Sequence, residues 1–132
     1  MTLTDVDRLL PNGFHDAYLL RFAADYVKAT LSLDLDLWVG SPDAKTPAER
    51  ERRKPGRIRI SGLAWCVIAP PDVIVRPNPR GFRIDAGPVS DLETPPKLPA
   101  PPPGVFSWWF FVQNWNTSLY VAGREASIDW KP

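Results

Sequence analysis

Across residues 27–39 every odd position is apolar: Val27, Ala29, Leu31, Leu33, Leu35, Leu37 and Val39. The even positions Lys28, Thr30, Ser32, Asp34 and Asp36 are polar, and only Trp38 departs from the alternation. A period of two over this length predicts a strand with one face in a core and the other in water. Fully extended, such a strand would reach ~44 Å at ~3.4 Å per residue, so a bend or bulge is expected within it.

The same reading extends to the rest of the chain. Residues 4–10 predict a short helix, with Thr4 as N-cap, Asp7 in the capping-box position and Pro11 ending it. Residues 16–24 form the first strand, and 24–27 the turn into the long second one. A polar excursion over 40–56 contains Thr46-Pro47-Ala48-Glu49, which predicts a helix of one or two turns. Residues 57–69 predict a third strand with a bulge at Gly62, buried on both faces after it. Residues 72–75 and 82–85 predict a hairpin whose prolines suit a sheet edge. The aromatic run over 105–115 predicts a central strand covered on both sides. Strands at 118–122 and 125–130 follow, the last with Ala126, Ile128 and Trp130 facing inward. The expected fold is mainly β: about seven antiparallel strands in a curled sheet, sandwich or open barrel, with at most two short helices.

Composition sharpens this picture. The chain has 132 residues, which suits a single β-rich domain over 1–132, and its 16 prolines and 8 glycines leave little room for long helices. Seven of the prolines fall in 86–104, a polyproline-like connector expected within that domain. Apolar runs fall well short of the ~20 residues that span a bilayer. The first residues lack the apolar core of a signal peptide, so no membrane association is expected and the cytoplasm is the expected location. A net charge of +1 argues against a chain built wholly around nucleic acid. The single cysteine, Cys66, excludes an internal disulfide and a thiolate zinc cluster.

Few residues carry candidate chemistry. The one histidine, His15, stands beside Asp16, a pairing that can serve as general base or metal ligand. On a strand, neighbours point to opposite faces, so the two are not expected to pair, and His15 is expected to hold the preceding turn. Asp34 and Asp36 share the polar face of the second strand at a spacing of ~7 Å, as paired carboxylates and any solvated strand face both do. Residues 50–59 hold six basic side chains, Arg52 and Arg53 among them, and read as a solvated loop, with phosphate binding as the alternative. Neither a nucleophile elbow nor a phosphate loop is present, so no catalytic residue, metal site or cofactor is assigned. Trp38 and Trp115 are candidates for a binding surface, since interfaces favour tryptophan.

Gly13-Phe14-His15-Asp16-Ala17, followed by a hairpin ending in Leu33-Asp34-Leu35-Asp36-Leu37-Trp38, resembles a loose group of small uncharacterised bacterial β-rich domains. Some of these are grouped with the immunity proteins of polymorphic toxin systems. The resemblance covers about the first thirty residues. It implies a β-rich cytoplasmic protein that binds a partner protein and performs no chemistry. The 86–104 connector and the basic 50–59 segment have no counterpart in it. The functional expectation is therefore a non-catalytic protein-recognition module using His15, Asp16, Asp34, Asp36, Trp38, Arg52, Arg53 and Trp115. Two alternatives are a small-molecule or hydrolytic site with His15 at a cleft, and nucleic-acid binding through residues 50–59.

Overall fold

The computed structural model describes residues 1–94 and 96–131. Eight antiparallel strands form one curled sheet that does not close. In chain order they are β1 (Tyr18–Asp25), β2 (Thr30–Trp38), β3 (Arg53–Ser61), β4 (Trp65–Ile68), β5 (Phe82–Pro88), β6 (Phe106–Val112), β7 (Thr117–Gly123) and β8 (Glu125–Trp130). Two helices accompany them, α1 (Leu3–Leu9) and α2 (Pro47–Arg50). The spatial order is β4-β7-β6-β5-β1-β2-β3-β8, and β1 joins β5 through only two residue pairs. Side chains from both halves, such as Leu31, Leu33 and Ile58 on one and Trp108, Phe110 and Val121 on the other, pack into one core.

The alternation in the second strand has its expected consequence. Leu31, Leu33, Leu35 and Leu37 are fully buried, each contributing roughly 1.5–3 kcal/mol of transfer free energy. The strand is shorter than its pattern, because residues 26–29 form the turn: the Ala29 N–H donates to the Tyr26 carbonyl, and Ala29 has φ +52°. Val27 is accordingly 98% exposed despite its place in the alternation. The irregularity lies instead on β1, where the register slips between Leu19 and Arg21 and leaves Leu20 exposed.

Several expected boundaries move for local reasons. Thr2, not Thr4, caps α1, and Asp5 completes the capping box by accepting the Thr2 N–H at 2.7 Å. Leu3 and Val6 of this helix are fully buried, and the Met1 carbonyl accepts a 2.7 Å bond from the Ala126 N–H of β8. The 57–69 strand is two strands. Gly62, at φ +61°, is a break rather than a bulge, and beyond it β4 crosses to pair with β7. There Val67 and Ile68 are exposed, because β4 is an edge of the sheet.

Residues 72–75 form no strand, and β5 is an inner strand between β1 and β6 instead of half an edge hairpin. In β6 the Trp108, Phe110 and Val112 row is buried while Ser107, Trp109 and Phe111 are only half-buried, so the strand is covered unequally. Trp130 is 39% exposed, outside the core to which its parity assigned it. The 86–104 connector starts within β5 and continues through a 3-10 turn at Val89–Asp91; Pro95 lies outside the described residues.

Candidate functional site

The Gly13–Ala17 motif is mostly architectural. Gly13 has φ +59°, and a Cβ there would stand 2.5 Å from an Asp7 carboxylate oxygen, so a larger residue would be strained and would displace that carboxylate. That carboxylate accepts the Phe14 N–H at 2.9 Å. Phe14 is buried edge-on against Trp108 and Phe110, at 6.1 Å and 5.7 Å between ring centres. The turn is thus held by Asp7, not by the His15 side chain, which points outward and is 65% exposed. His15 and Asp16 do approach, with Nε2 3.5 Å from Oδ2. They lie in a turn, where Asp16 takes φ +57°, and the opposite-face rule for strands does not apply there.

This turn docks on the far end of β2. Asn12 Nδ2 donates to the carbonyls of Trp38 and Gly40 at 3.0 Å and 2.7 Å. The N–H groups of Val39 and Gly40 both donate to the Arg52 carbonyl, and the Trp38 indole N–H donates to the Arg50 carbonyl at 2.6 Å. Gly40 is needed here for its size: a Cβ would lie 2.0 Å from the Arg50 carbonyl oxygen. The α2 excursion is therefore strapped down over Trp38. Thr46 caps α2 with Pro47 at its first turn, as the sequence pattern predicts.

Between these segments opens a surface hollow of about 670 Å³ lined by Asp16, Trp38, Pro42, Arg50, Glu51, Arg53 and Arg80. Its arginines are held mainly by neutral groups. Arg53 donates to the carbonyls of Asp16 (2.8 Å) and Asp36 (3.3 Å), and its guanidinium lies 4.7 Å from the centre of the Tyr18 ring. Arg50 donates to the Ala44 carbonyl at 2.9 Å, and Arg80 stands 5.3 Å from the same Tyr18 ring. Asp16 is already engaged, its Oδ1 accepting from Arg83. Among the described residues no carboxylate pairs with Arg50 or Arg80, and Arg53 has only a 4.0 Å approach to Asp36.

Three of the eight residues singled out in the sequence line this hollow, Asp16, Trp38 and Arg53; His15 stands beside it, 6.0 Å from Trp38 between ring centres, and Asp36 approaches Arg53 at 4.0 Å. Arg52 is exposed alongside, contributing its backbone carbonyl to the strap. Asp34 belongs elsewhere. It is 8% exposed and accepts two bonds from Arg57, at 2.7 Å and 3.2 Å, with Lys131 Nζ at 2.9 Å. The Arg57 bonds, then those of Lys131, hold its carboxyl down at about 2. A carboxylate so fully engaged is an ion-pair member and no half of a catalytic pair with Asp36. Trp115 is also remote from the hollow: it sits in a 3-10 turn against Phe82, 5.2 Å between ring centres.

The basic segment 50–59 is not a loop. From Arg53 it is β3, paired with β2 along its length and with β8 from Gly56 onward, and its charges disperse. Arg57 is bound to Asp34, and Lys54 lies over the Trp130 ring at 4.8 Å. Tyr18, Arg80 and Arg83 were missed in the sequence. Arg83 and Tyr18 meet only because β5 pairs with β1, and neither residue carries a local signal of that pairing. Cys66 is half-buried, and burial raises its thiol pKa, which leaves it unreactive.

Among the described residues no group of three or more His, Cys, Asp or Glu side chains is arranged to hold a metal. No helix among them is long and apolar enough to cross a membrane. No protein-family model matches the chain, and comparisons with curated proteins and with solved structures find no match either.

Proposed function

We propose that this protein is a non-catalytic protein-recognition module, immunity-like in the sense that it binds one partner protein, and that the Trp38–Arg53 hollow is the centre of its binding face. The observation that carries this reading is the fixing of Arg53. Two backbone carbonyls and a tyrosine ring hold its guanidinium in place while leaving donors free. Arginine, tryptophan and tyrosine dominate the energetics of protein interfaces, and side chains ordered in advance lose less entropy on binding. The resemblance of the Gly13–Ala17 start to immunity-type domains points the same way. The rival readings have less support. The lining of the hollow carries no serine, threonine or cysteine that could act as nucleophile, and His15 stands at 65% exposure beside an Asp16 already bound to Arg83. For nucleic acid, only Arg50 and Arg53 of the cations of residues 50–59 line the hollow, while Arg57 is bound to Asp34 and Lys54 lies over the Trp130 ring.

The test is capture from nuclease-treated lysate of the source cells at low and high salt, using the wild type, Trp38→Ala, Arg53→Ala and the control Val27→Ala. Recognition through this face requires one protein retained by the wild type and by Val27→Ala, lost with the other two variants, and re-forming a complex when both components are pure. Retention of nucleic acid alone, lost at high salt, refutes the reading. So does a protein whose retention ignores both hollow variants.

A further inference from the structure

The charge balance of the hollow narrows what it accepts. Arg50, Arg53, Arg80 and Arg83 stand against Asp16, Asp36 and Glu51, which leaves a single net positive charge. Asp16 is engaged by Arg83, and the three other guanidiniums keep N–H donors with no partner among the described residues, because a guanidinium has five and these use at most two in hydrogen bonds. An isolated anion gains from such a site, since planar guanidinium groups pair well with carboxylates. A chain of phosphates does not, because Asp16, Asp36 and Glu51 would repel its further charges. The half-buried Trp38 ring and Pro42 line the same hollow, offering apolar contact beside the cations.

We propose that the hollow seats one carboxylate, an aspartate or glutamate side chain of the partner protein, between Arg53 and Arg80, with the neighbouring methylene groups on Trp38. This rests on the recognition reading and names the chemistry of the partner's contact. Arg53 is the fixed element, and Arg80, exposed at the turn before β5, is the adaptable one.

The test uses the full chain and the tripeptide Ac-Gly-Glu-Gly-NH2, followed by NMR through the arginine Nε–H and tryptophan indole N–H signals. The Glu peptide should shift the Arg53, Arg80 and Trp38 signals saturably, and Ac-Gly-Gln-Gly-NH2 should bind at least ~10-fold more weakly, since it loses a charge-assisted pair. Arg80→Gln should weaken the Glu peptide at least ~3-fold while leaving the fold intact, because its side chain makes no hydrogen bond among the described residues. Arg53→Gln should weaken it further. Equal binding of the two peptides overturns the proposal, as does tighter binding of inorganic phosphate or of single-stranded oligothymidylate. If the Glu peptide fails to bind while Trp38→Ala still abolishes capture of a protein partner, the carboxylate seat falls and the recognition reading stands. If the wild type captures no protein, the recognition reading falls as well.

Discussion

Replacing Asp34 by asparagine keeps its volume and removes its charge, leaving Arg57 and Lys131 facing a neutral amide. In the native protein the carboxyl is displaced from 3.8 to about 2, chiefly by the two bonds from Arg57 on the paired strand. Taken at face value, that displacement is worth at most ~2.5 kcal/mol. Arg57 and Lys131 are 34% and 38% exposed, however, so water and salt screen the interaction. A contribution of ~1–1.5 kcal/mol is the realistic expectation. For a chain of this size that lowers Tm by ~3–7 °C.

The pH dependence has a definite sign. Because the folded carboxyl is the more acidic, its contribution is fully present above pH 3.8 and is lost as pH falls toward about 2. Urea titrations of both proteins between pH 7 and 2.5 should therefore show a constant gap down to about pH 4, closing below it. Asp5, whose pKa is also lowered, by its backbone and side-chain bonds to Thr2, is common to both proteins and cancels in the difference. A gap unchanged down to pH 2.5, or one below ~0.3 kcal/mol at pH 6, would refute the assignment of Asp34 as a stabilising ion pair.

Three further outcomes are expected. Gly40→Ala places a methyl group on the Arg50 carbonyl, so it should cost ~1–3 kcal/mol and shift the Trp38 indole N–H resonance; an unmoved resonance would contradict the strap geometry. His15→Ala should change stability by less than ~0.5 kcal/mol, because Asp7 holds the turn, and a larger loss in thermal melts would restore a structural role for the imidazole. Tyr26 donates its hydroxyl to the Cys66 carbonyl at 2.9 Å and accepts the Cys66 N–H at 3.1 Å, blocking the open side of β4. Tyr26→Phe should therefore speed hydrogen exchange at the Cys66 amide and cost ~0.5–1.5 kcal/mol; unchanged exchange would show that the edge is protected by something else.

The 27–39 alternation, the Thr46-Pro47 helix start and the last three strands, β6, β7 and β8, were legible in the sequence, because each rests on local periodicity or capping chemistry. So was the mainly antiparallel character of the fold. Where such local rules failed, a long-range partner decided. Gly62 reads as a bulge because the apolar run continues past it, yet its positive φ turns the chain out of β3, and β4 pairs with β7, at the other end of the strand order. The polar parity of Asp34 marks an outward side chain, but Arg57 and Lys131 cover it from β3 and from the chain end.

The candidate site shows the same division. Trp38 was identifiable by residue type, as an anchor that interfaces favour, and Arg53 by its place in the basic 50–59 segment. That they share a hollow with Asp16, and have His15 beside it, depends on Asn12 tying the first turn to the end of β2. Arg80 and Arg83 reach it only because β5 pairs with β1 across a gap of more than fifty residues in the chain. Residue pattern by itself determined most of the strands, the inward face of β2 and the scarcity of helix among the described residues, since those follow from neighbours a few positions apart. Which charges are compensated and which stay free was decided by tertiary structure alone, because it depends on strand order and register between segments far apart in sequence.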